Sequence, residues 1–246
     1  MNDFEELSRI TKIANISSPH LKVSSLGDIK VKNSNLPILS FCVGPDDPSL
    51  PTFGLFGGVH GLEKVGTHIV LYYLESLLQQ LKWDENLQKQ FKSMRLVSIP
   101  MINPAGVYLK TRSNGNGVDL MRNAPVESTE KVPYLIGGQS YSNRLPWYRG
   151  DTNNMETETL AVINFVKKEM FSSTFSMALD IHSGFGLRDR LWYPYAKTKK
   201  PFPLEPTALS FKNLIDKAHP FHVYKVEPQS HSYTTHGDLW DYLFDM

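Results

Sequence analysis

Cysteine, long hydrophobic runs and any strong charge imbalance are all nearly absent from this sequence. Cys42 is the one cysteine, so an intramolecular disulfide is excluded. It lies in an apolar run at 38–43, so a buried thiol is expected. No stretch is apolar enough to span a bilayer. The formal net charge is +1, from 26 basic and 25 acidic residues, which gives no electrostatic case for nucleic acid or an anionic membrane as partner.

The first six residues also lack the basic start and apolar core of a signal peptide. A cytoplasmic, reducing location is therefore the expectation. Because thiolate ligands are excluded by the cysteine count, any metal site in this chain has to be built from histidine and carboxylate side chains.

The hydrophobic pattern predicts an α/β fold, with one domain over residues 1–246 and a mostly parallel, mixed central sheet covered by helices on both faces. We expect strands near 20–24, 36–43, 53–59, 95–101, 175–181 and 221–226, and helices near 4–13 with Asp3 as cap, 66–81, 87–91, after Asn153, from Glu205 and over 239–244. The glycine-rich region 105–151 contains aromatic residues, among them Tyr134, Tyr141, Trp147 and Tyr148, which indicates a functional loop rather than disorder.

One short stretch carries the first chemical signal. The apolar strand 53–59 ends in glycines and is followed by His60 and, three residues later, Glu63. The turn between a strand and a helix is where α/β sheets bind ligands, and this spacing lets both side chains reach one point. A divalent metal of the zinc type accepts such a pair but needs a third protein ligand. A chance His-x-x-Glu with no metal role is the alternative.

Two further strand exits carry polar residues. One gives Asn103-Pro104 and then the loop 111–123, and the other gives Asp180 and His182. An isolated histidine after a strand is commonly a hydrogen-bonded structural residue. Three exits of one sheet that together offer two histidines and carboxylates instead favour a hydrolytic metal site.

These residues resemble the zinc carboxypeptidases, the family that includes carboxypeptidases A and T. The matching pieces are His60-Gly-Leu-Glu63, Asn103-Pro104-Ala-Gly106, Gly117-Val-Asp119-Leu-Met121-Arg122-Asn123 and Asp180-Ile-His182-Ser183. Their order and separations suit the family from about residue 53 to 242. A related group of zinc deacylases, which cleave N-acyl amino acids, shares the same skeleton.

The resemblance implies one zinc ion per chain with His60, Glu63 and His182 as its ligands. It also implies that Asp119 accepts the second ring N–H of His60 and fixes its tautomer. For Asp119 taken alone, a turn-forming aspartate after Gly117 is an equal alternative.

Three more side chains match residues that act on the substrate in this family. Arg112 resembles the arginine that polarises the scissile carbonyl, and Arg122 the arginine that binds the terminal carboxylate. Tyr233 aligns with the tyrosine that covers the substrate, on the spacing of Tyr233, Gly237 and Asp241. Solvated surface arginines and a surface tyrosine are the alternatives.

The sequence departs from the family at two points. Met121 stands where an asparagine usually precedes the carboxylate-binding arginine, and a thioether cannot donate a hydrogen bond to a carboxylate. The family's general base, a glutamate on a late strand, has no match in this sequence. Either this base is absent or, as we expect, the sequence is truncated before the family's last strand and helix.

The resemblance thus implies a zinc metallopeptidase that cleaves a C-terminal peptide bond with a metal-activated water. An N-acyl amino acid deacylase on the same scaffold is one alternative, and a zinc-binding domain that recognises a peptide terminus without cutting it is another. The expected partner is a peptide or N-acyl amino acid substrate, and the oligomeric state is left open.

Overall fold

The structure is a computed structural model that describes residues 4–151, 153–184 and 186–246, so the predicted cap Asp3 lies outside the described residues. The described residues group into two compact units. The first unit contains the chain through Asn116 together with Glu156–Ser183, and the second contains Gly117–Met155 together with Gly184–Met246. The single domain expected over residues 1–246 stays a prediction.

A mixed five-stranded sheet forms the centre of the first unit. Its strands are β1 (Leu21–Val31), β2 (Ser34–Val43), β3 (Thr52–Gly57), β4 (Arg95–Ile99) and β5 (Ser176–Ile181). The strand order is β1-β2-β4-β3-β5, in which β1–β2 and β2–β4 are antiparallel while β4–β3 and β3–β5 are parallel. The predicted α/β fold with a mixed central sheet is confirmed.

Helices cover this sheet on both faces, as the sequence predicts. They are α1 (Glu5–Ala14), α2 (Lys64–Gln80), α3 (Glu85–Gln90), α4 (Pro104–Leu109) and α5 (Thr157–Met170). Leu55 of β3 belongs to a buried cluster with apolar residues of α2, whereas the ring of Phe56 packs edge-on against Phe165 of α5, with centroids 6.4 Å apart. Since successive strand residues point to opposite faces, α2 and α5 lie on opposite sides of the sheet. None of the helices in the described ranges has the length and apolarity required to cross a membrane.

The second unit is rich in loops. Its regular elements are the parallel pair β6 (Arg190–Tyr193) and β7 (Lys225–Pro228), helices α6 (Glu205–Ala218) and α7 (Leu239–Asp245), and two 3-10 turns at Leu120–Arg122 and Gln229–His231. Within the loop expected at 105–151, the side chain of Gln139 fixes the segment 141–145 by hydrogen bonds. Its buried amide donates to the carbonyls of Ser142 and Leu145 and accepts the backbone N–H of Tyr141.

Three predicted boundaries are wrong. The strand expected at 20–24 runs from Leu21 to Val31. The strand expected at 221–226 begins only at Lys225, because the preceding residues turn and Tyr224 donates its N–H to Nδ1 of His222 at 3.1 Å. The helix expected after Asn153 begins at Thr157 with Glu156 as its N-cap. Asn153 instead donates its N–H to the side chain of Asp151 in a turn.

Candidate metal centre

The ends of β3 and β5 place three candidate ligands side by side. β3 and β5 are parallel neighbours in which Gly57 pairs with Ile181. His60 and Glu63 lie in the turn that joins β3 to α2, and His182 follows β5 directly. Because parallel strands deliver their carboxyl ends to the same edge of a sheet, these side chains share one edge.

The three ligand groups converge. His60, Glu63 and His182 each offer one ligand atom, and these atoms all lie within 4.8 Å of one another. The two imidazole rings have centroids 5.1 Å apart. Oε2 of Glu63 lies 3.3 Å from Nδ1 of His182 and accepts the backbone N–H of Ser183 at 2.8 Å. His60 is 3% exposed, while 35% of the His182 side chain is open to solvent.

Asp180 also belongs to this cluster, although no role is assigned to it from the sequence. Its Oδ2 lies 2.9 Å from Nε2 of His182, and the side chain is 6% exposed. The two residues are two positions apart at the end of a strand, so they share a face; that spacing is the signal in the sequence. A carboxylate on one ring nitrogen orients a histidine so that the other nitrogen can bind a metal.

The carboxylates of Asp180 and Glu63 favour the protonated form of His182. Desolvation lowers the pKa of this imidazole, but the Asp180 carboxylate and then Glu63 outweigh it and raise the pKa to about 10. Desolvation likewise raises the pKa of Glu63. Its hydrogen bond with His182 and its electrostatic interactions with His60 and His182 outweigh this effect and lower that pKa below the ordinary value. The cluster therefore attracts positive charge.

Arg112 supplies such a charge. Its Nη1 donates to Oε1 of Glu63 at 3.1 Å, and its Nη2 lies 2.8 Å from Nε2 of His60. A guanidinium can only donate, so Nε2 of His60 is assigned as the acceptor of this contact. Two of the three candidate ligand residues thus contact one cationic side chain.

The donor set fits zinc. Two imidazole nitrogens and one carboxylate oxygen, with a position left for water, are a known ligand set of hydrolytic zinc sites. The guanidinium of Arg112, held on His60 and Glu63, indicates that a cation is accommodated at these atoms. His60, Glu63 and His182 would hold the ion, with Asp180 behind His182.

The other sequence-predicted residues lie in the second unit. Asp119 is fully buried and caps the 3-10 turn, where its side chain accepts the backbone N–H of Met121 at 3.1 Å. That contact matches the turn-forming alternative; the proposed contact between Asp119 and His60 stays a prediction. Met121 is also buried.

Arg122 is 3% exposed, and the contacts of its guanidinium are to neutral oxygens. Nε donates to the carbonyl of Ile136 at 3.4 Å and Nη1 to that of Met121 at 3.1 Å. Nη2 lies 3.5 Å from the hydroxyl of Tyr233, whose ring packs edge-on against Trp192. Two residues to which the family resemblance assigns a role on the substrate are thereby neighbours, although 111 positions separate them.

Comparison with known proteins agrees with this geometry. The family model described as zinc carboxypeptidase matches residues 12–244. The catalytic chain of human carboxypeptidase N is 28% identical over 214 residues, which are 79% of this chain and 44% of that protein. The chain thus spans less than half the length of this curated relative.

Solved structures show the same fold. The crystal structure of thrombin activatable fibrinolysis inhibitor superposes with a TM-score of 0.78 at 18% identity, over 96% of this chain and 61% of that one. Carboxypeptidase A from Helicoverpa armigera superposes with a TM-score of 0.69 at 18% identity, over 98% of this chain and 59% of that one.

Proposed function

This chain belongs to the zinc carboxypeptidase family, and on that premise we propose that it hydrolyses the C-terminal peptide bond of a peptide with a zinc-activated water. One observation carries the proposal, namely the convergence of His60, Glu63 and His182 within 4.8 Å. One zinc ion per chain would match this single three-ligand cluster in the described part of the chain.

Zinc bound at such a site polarises a carbonyl oxygen and lowers the pKa of its water toward neutrality. The protein's part is to fix the ligands and to stabilise the charge that develops on the substrate. Asp180 holds the ring of His182. By resemblance, Arg112 donates to the scissile carbonyl oxygen as that oxygen gains negative charge.

Arg122 is the candidate for the substrate's terminal carboxylate. Within the described part of the chain, the hydrogen bonds of this buried guanidinium go to neutral oxygens, an arrangement that favours the approach of an anion. A carboxylate accepts two parallel N–H donors from a guanidinium. Tyr233, beside Arg122, is the candidate for the residue that covers the bound substrate.

Met121 bears on how strictly a free C-terminus is required. Its side chain has no hydrogen-bond donor for a carboxylate, so the selection would fall mainly to Arg122. We expect an enzyme that prefers a free carboxylate yet accepts amidated or longer substrates poorly.

The deacylase and the non-catalytic recognition domain gain no support from the curated relatives, which carry carboxypeptidase names. A cytoplasmic location also stays a prediction.

The test is hydrolysis by the zinc-loaded full-length gene product of three matched substrates: a short peptide, the same peptide amidated, and an N-acetyl amino acid. We expect release of a single C-terminal amino acid from the free peptide, lost with a chelator and restored by zinc. Cleavage of the N-acetyl amino acid alone would support the deacylase. Zinc binding without turnover of any substrate would support the recognition domain.

A further inference from the structure

Asn103 stands between the last residue of β4 and the first turn of α4, and it contacts the turn that carries the first candidate ligands. Its Oδ1 accepts the backbone N–H of Gly106 at 2.7 Å and so caps α4. Its Nδ2 donates to the carbonyl of Val59 at 3.1 Å. Its own backbone N–H donates to the carbonyl of Gly58 at 2.9 Å. The side chain is fully buried, with both ends of its amide in use.

These bonds hold the two residues immediately before His60. Val59 and Gly58 have left β3, which ends at Gly57, so no sheet neighbour fixes them there. Asn103 therefore replaces the sheet's hydrogen bonds at the point where the chain turns toward the cluster. An amide has both the donor and the acceptor that this double contact needs.

The residue after His60 is fixed against the same turn. A Cβ on Gly61 would lie 1.9 Å from the carbonyl carbon of Gly106, so the two glycine backbones are in direct contact. A Cβ on Gly106 would in turn lie 2.4 Å from Nδ2 of Asn103. The backbone of His60 is thus held on both sides by the β4–α4 connection.

We propose that Asn103 is a positioning residue for the metal ligand His60: it sets the distance of His60 from Glu63 and His182 and thereby the affinity for zinc. The inference rests on the proposed function, because it presumes that these three residues bind zinc. Asn103 touches neither the ion nor the substrate in this role. Residues that orient ligands in metal sites typically change metal affinity by about ten- to a hundredfold when they are replaced.

Two variants of Asn103 test the contact of its amide nitrogen separately from that of its amide oxygen. Asn103→Asp keeps the oxygen that caps α4 but sets a second oxygen against the carbonyl of Val59. Asn103→Ser keeps a capping hydroxyl and removes the amide group that reaches the carbonyl of Val59. The matched control is Asn123→Asp, since Asn123 is equally buried and its Nδ2 donates to the carbonyl of Arg149 in the second unit.

The measurements are the zinc dissociation constant by competition with a chromophoric chelator, the visible spectrum of the cobalt-substituted protein, and the melting temperature of the metal-free protein. We expect both Asn103 variants to bind zinc about tenfold or more weakly and to shift the cobalt bands. Asn123→Asp should lower the melting temperature but keep the zinc constant within about threefold of wild type.

The outcomes distinguish the two claims. A wild-type protein that binds no zinc contradicts the proposed function itself. A wild-type protein that binds zinc, with unchanged constants and spectra in both Asn103 variants, overturns only the positioning role. Equal loss of zinc affinity in Asn123→Asp, or failure of both Asn103 variants to fold, also overturns it, since the residue would then act through general stability.

Discussion

Nη2 of Arg112 lies 2.8 Å from Nε2 of His60, and Nη1 of the same guanidinium lies 3.1 Å from Oε1 of Glu63. A side chain expected to act on the substrate therefore rests on two of the three candidate zinc ligands. A zinc ion bound by this cluster and the Arg112 guanidinium would compete for the attraction of the same two side chains. We therefore expect Arg112 to influence zinc binding as well as the step on the substrate.

Arg112→Gln tests this link. Two positive charges about 4 Å apart repel by several kcal/mol at an effective dielectric constant near 20, reduced here because 29% of the Arg112 side chain is exposed. We expect zinc to bind about tenfold more tightly in the variant, while kcat for peptide hydrolysis falls about a hundred- to a thousandfold. Chelator competition and steady-state kinetics measure the two effects. Arg112→Lys keeps the charge and should change zinc affinity little; weaker zinc binding in Arg112→Gln would contradict the competition.

Asp180 can be tested by removing its charge and its hydrogen-bonding atoms in turn. Asp180→Asn keeps an oxygen for Nε2–H of His182, so we expect zinc to bind only about tenfold more weakly, whereas Asp180→Ala should cost up to about a hundredfold. The measurement is the zinc dissociation constant of each variant. If Asp180→Ala binds zinc as wild type does, the 2.9 Å contact with His182 has no part in holding the ligand.

Asp119 carries two expectations that a pair of variants can separate. Asp119→Ala removes the cap of the 3-10 turn, which should cost about 1 kcal/mol of stability, and by resemblance should weaken zinc binding about ten- to a hundredfold. Asp119→Asn retains the cap, so its unfolding free energy should stay near wild type while zinc affinity still falls. Denaturant unfolding and zinc titration give the two numbers. Unchanged zinc affinity in both variants would leave the cap as the residue's role.

Arg122 and Met121 set the expected preference for a free C-terminus. Arg122→Ala should flatten the ratio of kcat/KM between matched free-acid and amide peptides, because a charged hydrogen bond to the carboxylate contributes roughly 1.5–3 kcal/mol. Met121→Asn adds an amide donor and should sharpen the ratio, provided that the buried site admits the polar group. Equal ratios in wild type and both variants would show that Arg122 does not bind the substrate's carboxylate.

Long apolar elements of the fold can be predicted from the sequence, because their pattern is strong. Helix α2 and strands β3 and β4 lie where the hydrophobic periodicity predicts them. Strand β1 runs on to Val31 although Lys22 and Lys30 interrupt its apolar pattern, since it lies at an edge of the sheet and has one exposed side. The short helix α4 was missed, although an asparagine followed by proline is a known helix start.

Much of the candidate site can be predicted too, because its ligands follow directly from strand ends. The pairing of β3 with β5, which brings His182 to His60, is known only from the structure, because the sequence does not predict the order of the strands. The contact of Arg112 with His60 could not be predicted, because 52 positions separate them and a loop of irregular backbone decides where the guanidinium lies. The two contacts of the Asn103 amide could not be predicted together for the same reason. An asparagine before a proline indicates a helix cap, but nothing in the sequence places the carbonyl of Val59 beside that amide.

The central claim is that His60, Glu63 and His182 bind zinc, and the most direct test is the zinc content of the purified protein measured by atomic emission. Wild type and His219→Ala, which removes an exposed histidine at the end of α6, should each contain about one zinc per chain. His60→Ala and His182→Ala should contain almost none. Zinc content that is the same in all four proteins would contradict the account.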